Sequence, residues 1–152
     1  MKQLFILFAL AATACGPSFT AQPPAGAVEI ENDYDDYDYR ATTADGLVFA
    51  VREIENGPEG DAAFWLTAIK NRMRERNGYA LLEEKQVQSA DGVGGTQLRF
   101  GHDEASGSPH LYYLTLFVTP STLYLVEAGG TKELMTKHAG DVEVAIKAFR
   151  TK

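Results

Sequence analysis

The spacing of apolar and polar residues predicts a regular domain in the part of the chain that begins at Arg40. A period-two run of apolar residues predicts a β-hairpin over 40–54, which turns at Asp45-Gly46. The same alternation predicts two further hairpins, which pair residues 79–88 with 96–102 and residues 111–118 with 123–128. Because strands joined by short turns run in opposite directions, these hairpins indicate an antiparallel sheet.

Helical spacing predicts a first helix over 61–77. Asp61 is a typical residue to cap the start of a helix, and Gly78 is a typical residue to end one. The expected apolar face comprises Phe64, Trp65, Ala68, Ile69 and Met73.

Two more helices are predicted near the end of the chain. A short helix over 131–138 is expected to be broken by Gly140, and Asp141 is expected to cap the last helix. The apolar face of that last helix comprises Val142, Ala145, Ile146 and Phe149. Amphipathic helices beside an antiparallel sheet indicate an α+β domain, in which two or three α-helices pack on the sheet.

A short leader precedes these elements. Lys2 gives it a positive start, residues 4–10 are apolar, and small residues follow, which is the layout of a secretory signal. The apolar run is much shorter than the roughly 20 residues that cross a bilayer, so a membrane-spanning helix is not expected there.

The end of the leader, Thr13-Ala14-Cys15, resembles a bacterial lipoprotein signal, which is cleaved before a lipidated cysteine. The resemblance implies a signal peptide over 1–14 and a lipid anchor at Cys15, the only cysteine of the chain. The alternative is an ordinary cleaved signal, which would leave one oxidisable thiol on a secreted protein. In the lipoprotein sorting pattern, Gly16 after the cysteine favours the periplasmic face of the outer membrane over the inner membrane.

The residues between the leader and the first hairpin are rich in Pro, Gly and acid. Residues 15–39 are therefore interpreted as a lipidated cysteine with a flexible acidic tether, followed by a single α+β domain over 40–152. Such a tether could hold the domain up to ~80 Å from a membrane, at ~3.3 Å per residue.

The charge balance is acidic. Without residues 1–14 the chain has 13 basic and 21 acidic residues, a net charge of −8. This surface repels phosphate backbones and anionic lipid, so a nucleic-acid partner is not expected.

The densest charge lies at 29–39, where acids alternate with tyrosines. Carboxylates could bind Ca²⁺ there, but the tract lacks the ligand order of an EF-hand, and a solvated spacer is the plainer interpretation. Acid beside aromatic residues also suits docking to a basic partner, and the basic helix face at 70–76 is a second contact surface. The candidate partner-binding residues are Asp33, Tyr34, Asp35, Asp36, Tyr37, Asp38, Lys70 and Arg74.

No motif of a catalytic, metal or cofactor site is recognised in the sequence. The three histidines lack the spacing of metal ligands, and no serine lies in a nucleophile elbow. His102 and Asp103 could belong to a hydrolytic or small-ligand site, with a pocket near the loop 103–109, and this is the alternative to a binding module.

The order of elements, the run Tyr113–Gly130 with its Thr119-Pro120-Ser121 turn, and the last helix closing on Phe149-Arg150 resemble the PsbP-like superfamily, DcrB-like lipoproteins included. The resemblance implies a PsbP-like α/β sandwich and transfers no catalytic residue. The sequence therefore predicts a lipid-anchored envelope protein that serves as a protein-binding or accessory module, is not an enzyme, and has an envelope protein as its partner.

Overall fold

The computed structural model describes residues 16–31, 36–57, 59–103 and 107–152. The leader and Cys15 lie outside the described residues. The elements are β1 (Phe19–Thr20), β2 (Ala27–Glu29), β3 (Tyr39–Thr43), β4 (Val48–Glu55), α1 (Ala62–Asn77), β5 (Ala80–Gln88), β6 (Gly94–Asp103), β7 (Pro109–Val118), β8 (Thr122–Thr131), α2 (Lys132–Lys137), α3 (Ala139–Ala148) and β9 (Arg150–Thr151).

Seven of these strands form one sheet in the order β2-β3-β4-β8-β7-β6-β5, and every neighbouring pair is antiparallel. The three predicted hairpins are all present, and the predicted α+β class is confirmed. At the β5 edge, the pairing with β6 shifts register between Leu81 and Glu83, which is a β-bulge.

The segment that precedes Tyr39 is part of the folded structure. β1 pairs with β9, and β2 pairs with β3. Phe19 is buried, and its ring stacks on Phe149 with 5.7 Å between the ring centroids. The expectation of a flexible tether is therefore wrong for residues 18–20 and 27–29, because a single phenylalanine in a Pro- and Gly-rich stretch supplies the core contact.

The α1 helix begins and ends as predicted. The Asp61 carboxylate accepts a hydrogen bond from the Phe64 backbone N–H at 2.8 Å, and Gly78 ends the helix in the left-handed conformation with φ of 69°. Its buried residues are Leu66 and Met73, with Trp65 and Ile69 packed beside them. Phe64 is 60% exposed and Ala68 is exposed too, so the expectation that these two residues lie on the buried face is wrong.

The last two helices meet differently from the prediction. His138 ends α2 and directly precedes α3, which begins at Ala139 and includes Gly140. Asp141 lies in the first turn of α3 and is not its cap, so both expectations for these residues are wrong. A glycine costs a helix about 1 kcal/mol, which the burial of the α3 apolar face offsets.

The two faces of the sheet carry separate cores. On one face α3, β1 and β9 cover Phe49, Val51, Phe117, Tyr124 and Val126. On the other face α1 covers a leucine-rich patch, which comprises Leu98, Leu114, Leu116, Leu123 and Leu125. This second face is covered only in part, since a single 16-residue helix crosses it.

Asn56 joins the start of α1 to the end of the sheet. Its amide nitrogen donates to the carbonyls of Gly60 and Thr119, at 3.1 and 3.0 Å. Its side-chain oxygen accepts from the Gly60 N–H and from the Trp65 indole N–H, both at 2.9 Å. Asn56 is 4% exposed, and both polar atoms of its side chain are hydrogen-bonded. The side chain therefore holds α1 against the β7–β8 turn.

Candidate functional site

A groove of about 360 Å³ lies on the part of the sheet face that α1 leaves uncovered. Small residues form its floor, namely Ala50 of β4 and Gly129 and Gly130 of β8. Tyr79, His110 and Tyr112 stand at its sides. The leucines that fill the covered half are replaced here by short side chains, so the strands leave space for an incoming group.

Glu127 lies beneath this groove and is 4% exposed. Its Oε1 accepts a hydrogen bond from Arg52 Nε at 2.7 Å and is also contacted by Arg52 Nη2, which forms a salt bridge. Its Oε2 accepts from the Tyr112 hydroxyl at 2.5 Å. The buried carboxylate therefore has a partner on each oxygen, as an ion in low dielectric requires.

The electrostatics of this network shift the pKa of both partners. Burial, followed by the charge of Glu127, raises the pKa of the Tyr112 phenol, so the phenol stays protonated throughout the physiological range. Burial acts to lower the pKa of Arg52, but the charge of Glu127 and its hydrogen bond outweigh it, and the pKa is raised. The guanidinium and the phenol both donate to Glu127, and the network is a fixed scaffold.

Tyr37 places the end of the acidic tract beside the groove. The Arg52 guanidinium carbon lies 5.4 Å from the centre of the Tyr37 ring, and Arg40 lies at the same distance, which is a cation–π geometry. Asp38 is anchored too: its N–H donates to the Val51 carbonyl at 3.0 Å. These contacts hold residues 37–38 against the sheet.

The remaining acidic candidates differ in position. The Asp38 carboxylate accepts from the Glu53 backbone N–H at 2.6 Å, while Asp36 is exposed to solvent. Asp33, Tyr34 and Asp35 lie outside the described residues. The structure thus places Tyr37 against Arg52, the partner of the groove residue Glu127, whereas the Asp38 carboxylate binds the backbone of β4.

An aromatic cluster closes one side of the groove. The Tyr79 ring lies 5.8 Å from that of Tyr112, 5.1 Å from His102 and 6.4 Å from Phe100, measured between centroids. His102 also contacts the Gly78 carbonyl through Nδ1 at 3.2 Å. The left-handed turn at Gly78 is what directs Tyr79 back over the sheet.

Lys70 and Arg74 lie on a different depression, of about 390 Å³, between α1 and β5. Lys70 forms an ion pair with Glu84 at 3.1 Å, and Arg74 forms one with Glu75 at 3.4 Å. Tyr79 lines this depression and the groove alike. The two predicted contact surfaces therefore lie on the same face of the sheet, on either side of one tyrosine ring.

The hydrolytic alternative relied on His102, Asp103 and a pocket near the loop 103–109. An open depression beside that loop is lined by Ser108, Pro109 and residues of α2. His102 contacts the end of α1 instead and does not line that depression. His102 and Asp103 thus do not line this depression, and residues 104–106 lie outside the described part of the chain.

The described residues contain neither a metal-binding cluster nor a membrane-spanning helix. No group of three or more His, Cys, Asp or Glu side chains in this part of the chain is arranged to hold a metal ion. Within the same residues, no helix has the length and apolarity to cross a membrane.

Sequence reasoning missed the centre of the groove. The signal was present, because Glu127 interrupts the apolar run Leu123–Ala128 of a central strand. A charged residue at such a position is almost never buried without a partner. The sequence does not name its partner, because Arg52 reaches Glu127 only through the register of β4 against β8, in which the Arg52–Leu125 pair lies two residue pairs from the Ala50–Glu127 pair.

Comparison with solved structures identifies the architecture. The solution structure of cyanobacterial PsbP (CyanoP) from Synechocystis matches with a TM-score of 0.63 and 10% identity, over 89% of this chain and 87% of that one. The fold is PsbP-like. This confirms the fold that the sequence resemblance implied.

Two other solved structures share the PsbP-like fold with this chain. LpqN of Mycobacterium tuberculosis, described as involved in cell envelope biogenesis, matches with a TM-score of 0.72 and 12% identity, over 91% of this chain and 86% of that one. The Ran-binding protein Mog1p of Saccharomyces cerevisiae matches with a TM-score of 0.57 and 13% identity, over 88% of this chain and 90% of that one. No protein-family model and no curated protein sequence matches the chain.

Proposed function

We propose that this chain is a lipid-anchored protein of the bacterial cell envelope that binds another envelope protein through the groove beside Tyr37. The leader and Cys15 support the anchor, and Gly16 supports the periplasmic face of the outer membrane. The description of LpqN as a protein of envelope biogenesis is in keeping with this placement.

One observation carries the binding role: the groove is an open, preformed surface over a rigid floor. Tyr37, Tyr79 and Tyr112 are each held by contacts within the protein, so their rings lose little conformational freedom when a partner docks. Aromatic side chains that surround a small depression are typical of the energetically dominant part of a protein interface.

The partner chemistry follows from the same residues. A partner would place an apolar or aromatic side chain on the Ala50–Gly129 floor. Exposed Asp36, beside Tyr37, would meet a basic residue at the rim of the interface. We propose no catalytic step, because Glu127 already has a donor on each of its oxygens and serves as a structural ion.

Site-specific photocrosslinking in living cells tests this proposal. A photoreactive phenylalanine analogue replaces Val48, which lines the groove, and the control places it at Val144, which is exposed on α3. We expect a discrete adduct with one envelope protein from position 48 and none from position 144.

Affinity measurements with that purified protein complete the test. Ala50→Trp fills the groove and should weaken binding by at least tenfold, which is about 1.4 kcal/mol, whereas Val144→Trp should leave binding unchanged. Equal adducts from both positions, or full affinity of Ala50→Trp, would show that the partner binds elsewhere.

A further inference from the structure

Ser18, which the domain binds, lies very close in the chain to the proposed anchor. Ser18 is three residues beyond Cys15, and three residues span at most about 11 Å when fully extended. The stand-off of up to ~80 Å expected for a flexible tether is therefore not available between the cysteine and the domain.

Ser18 is firmly held by the domain. Its N–H donates to Glu53 Oε2 at 3.0 Å and its hydroxyl donates to Glu53 Oε1. Its carbonyl accepts from the Lys152 N–H at 2.8 Å, and its hydroxyl contacts the Tyr124 hydroxyl at 2.7 Å. Phe19, next along the chain, is buried in the core. Ser18 therefore connects the proposed anchor at Cys15 directly to β4 and β8 of the sheet.

We propose that the domain stands with one end of its sheet against the lipid headgroups, which rests on the lipid anchor proposed above. This end, here called the anchor end, consists of the turns at 89–93 and 119–121 and the start of α1. Ser18 lies there, because its partners Glu53 and Tyr124 are close to the strand termini that meet at Glu55 and Thr122.

The anchor end carries apolar side chains that suit a membrane interface. Phe64 is 60% exposed on the first turn of α1, and Ile54 is 43% exposed near the end of β4. Asn56 ties both regions to the β7–β8 turn, since its N–H donates to the Ser121 carbonyl at 2.9 Å. Because the chain is acidic, the anchor and these apolar contacts, and not charge, hold this end at the lipid.

The groove lies at the opposite end of the strands. From Tyr124 to Gly130 the β8 strand advances six residues, which is about 20 Å at ~3.3 Å per residue. The turn at 44–46 and the paired ends of β6 and β7, at Asp103 and Pro109, lie at this distal end. The fold therefore directs the Gly129–Gly130 end of the groove away from the membrane, while residues 37–38, which contact Arg52 and Glu53, lie on the side nearer the membrane.

Fluorescence quenching in vesicles tests the orientation. The full chain is produced with its leader in bacteria, purified, and inserted into phosphatidylcholine vesicles that contain a lipid with a nitroxide on its headgroup. Acylation of Cys15 removes the only thiol, so Ser121→Cys at the anchor end and Ala44→Cys at the distal end each give one labelling site. Both positions are exposed.

We expect several-fold stronger quenching of the label at position 121 than at position 44. A matched variant has about twelve Gly/Ser residues inserted between Gly16 and Pro17. It should lose most of that difference in quenching, because a longer flexible linker lets the domain move away from the membrane. Equal quenching at both positions of the acylated protein overturns the orientation alone. A mature protein whose mass shows an unmodified Cys15 overturns the anchor, and the orientation with it.

Discussion

Phe19 and Phe149 stack near the two ends of the chain, with their ring planes 28° apart and 5.7 Å between their centroids. Phe149 stacks in turn on Phe117 of the sheet, at 5.4 Å. The segments around Phe19 and Phe149 thus share one aromatic core, and the pairing of β1 with β9 holds them together beside it.

The first prediction concerns this aromatic contact. Phe19→Ala removes a buried ring and should lower the free energy of unfolding by about 3–4 kcal/mol, as other large-to-small core changes do. Urea denaturation of the protein without residues 1–15 measures this. Val28→Ala, at a 65% exposed position, should change it by less than about 0.5 kcal/mol. If Phe19→Ala changes the free energy of unfolding as little as Val28→Ala does, residues 18–20 are not part of the folded domain.

The second prediction concerns the Arg52–Glu127 pair. Arg52→Ala should lower the free energy of unfolding by about 2 kcal/mol, because it leaves the buried Glu127 carboxylate with only the Tyr112 hydroxyl. This figure is below the usual cost of breaking a buried pair, since Arg52 is partly exposed.

A double variant and an exposed pair are the controls for that measurement. Arg52→Met combined with Glu127→Leu should recover part of the loss, because no charge then remains buried. Arg74→Ala breaks the exposed pair with Glu75 and should cost less than about 0.5 kcal/mol. A double variant less stable than Arg52→Ala would contradict the assigned cause.

The third prediction is a pH dependence at the first hairpin. A hydrogen bond from Lys137 at 2.6 Å, with others from Thr43 and His138, lowers the pKa of Asp45 below its ordinary value. A lowered folded-state pKa contributes stability above the unfolded pKa of about 4, and this contribution is lost as the pH falls through the folded-state pKa.

Asp45→Asn should therefore reduce stability at neutral pH and have a shrinking effect as the pH falls below about 4. Thermal unfolding followed from pH 7 downwards, at about one-unit steps, would show the two curves converge. Lys137→Met should reproduce the loss at neutral pH and add little in the Asp45→Asn background. A difference that stays constant down to the lowest pH would assign the effect to the turn and not to the charge.

The fourth prediction concerns Asn56. Asn56→Ala leaves the Trp65 indole N–H and the Thr119 carbonyl without their partner, and should cost about 2–4 kcal/mol. Trp65 is the only tryptophan, so its emission reports the change directly and should shift to longer wavelength. Asn71→Ala, at an exposed α1 position, should shift neither the emission nor the stability. An unshifted Asn56→Ala spectrum would contradict the role of the amide.

Local signals in the sequence were sufficient for most of the elements. The Asp61 cap, the Gly78 terminator and the Asp45-Gly46 turn each act within a few residues, so their type and spacing predict their structure. Gly140 shows the limit of such signals, because burial of a helix face further along outweighs a local breaker.

The features that escaped prediction depend on contacts between distant parts of the chain. Phe19 is placed by Phe149, 130 residues further along, and nothing in its own surroundings marks it as a core residue. Likewise, Tyr37 and Tyr79 belong to separate segments of the sequence. Tyr37 comes near the groove because β3, β4 and β8 lie side by side in the sheet, and Tyr79 comes near it by packing on Tyr112 of β7.

The bulge in β5 has a consequence for many copies on one surface. β5 is the long outer strand of the sheet, and a neighbouring copy could extend the sheet only by matching its backbone over several residues. The register break after Leu81 and the charges of Glu83, Glu84 and Lys85 interrupt any such match. With the proposed lipid anchor, neighbouring molecules on one membrane would therefore remain separate, and each would keep its own groove open.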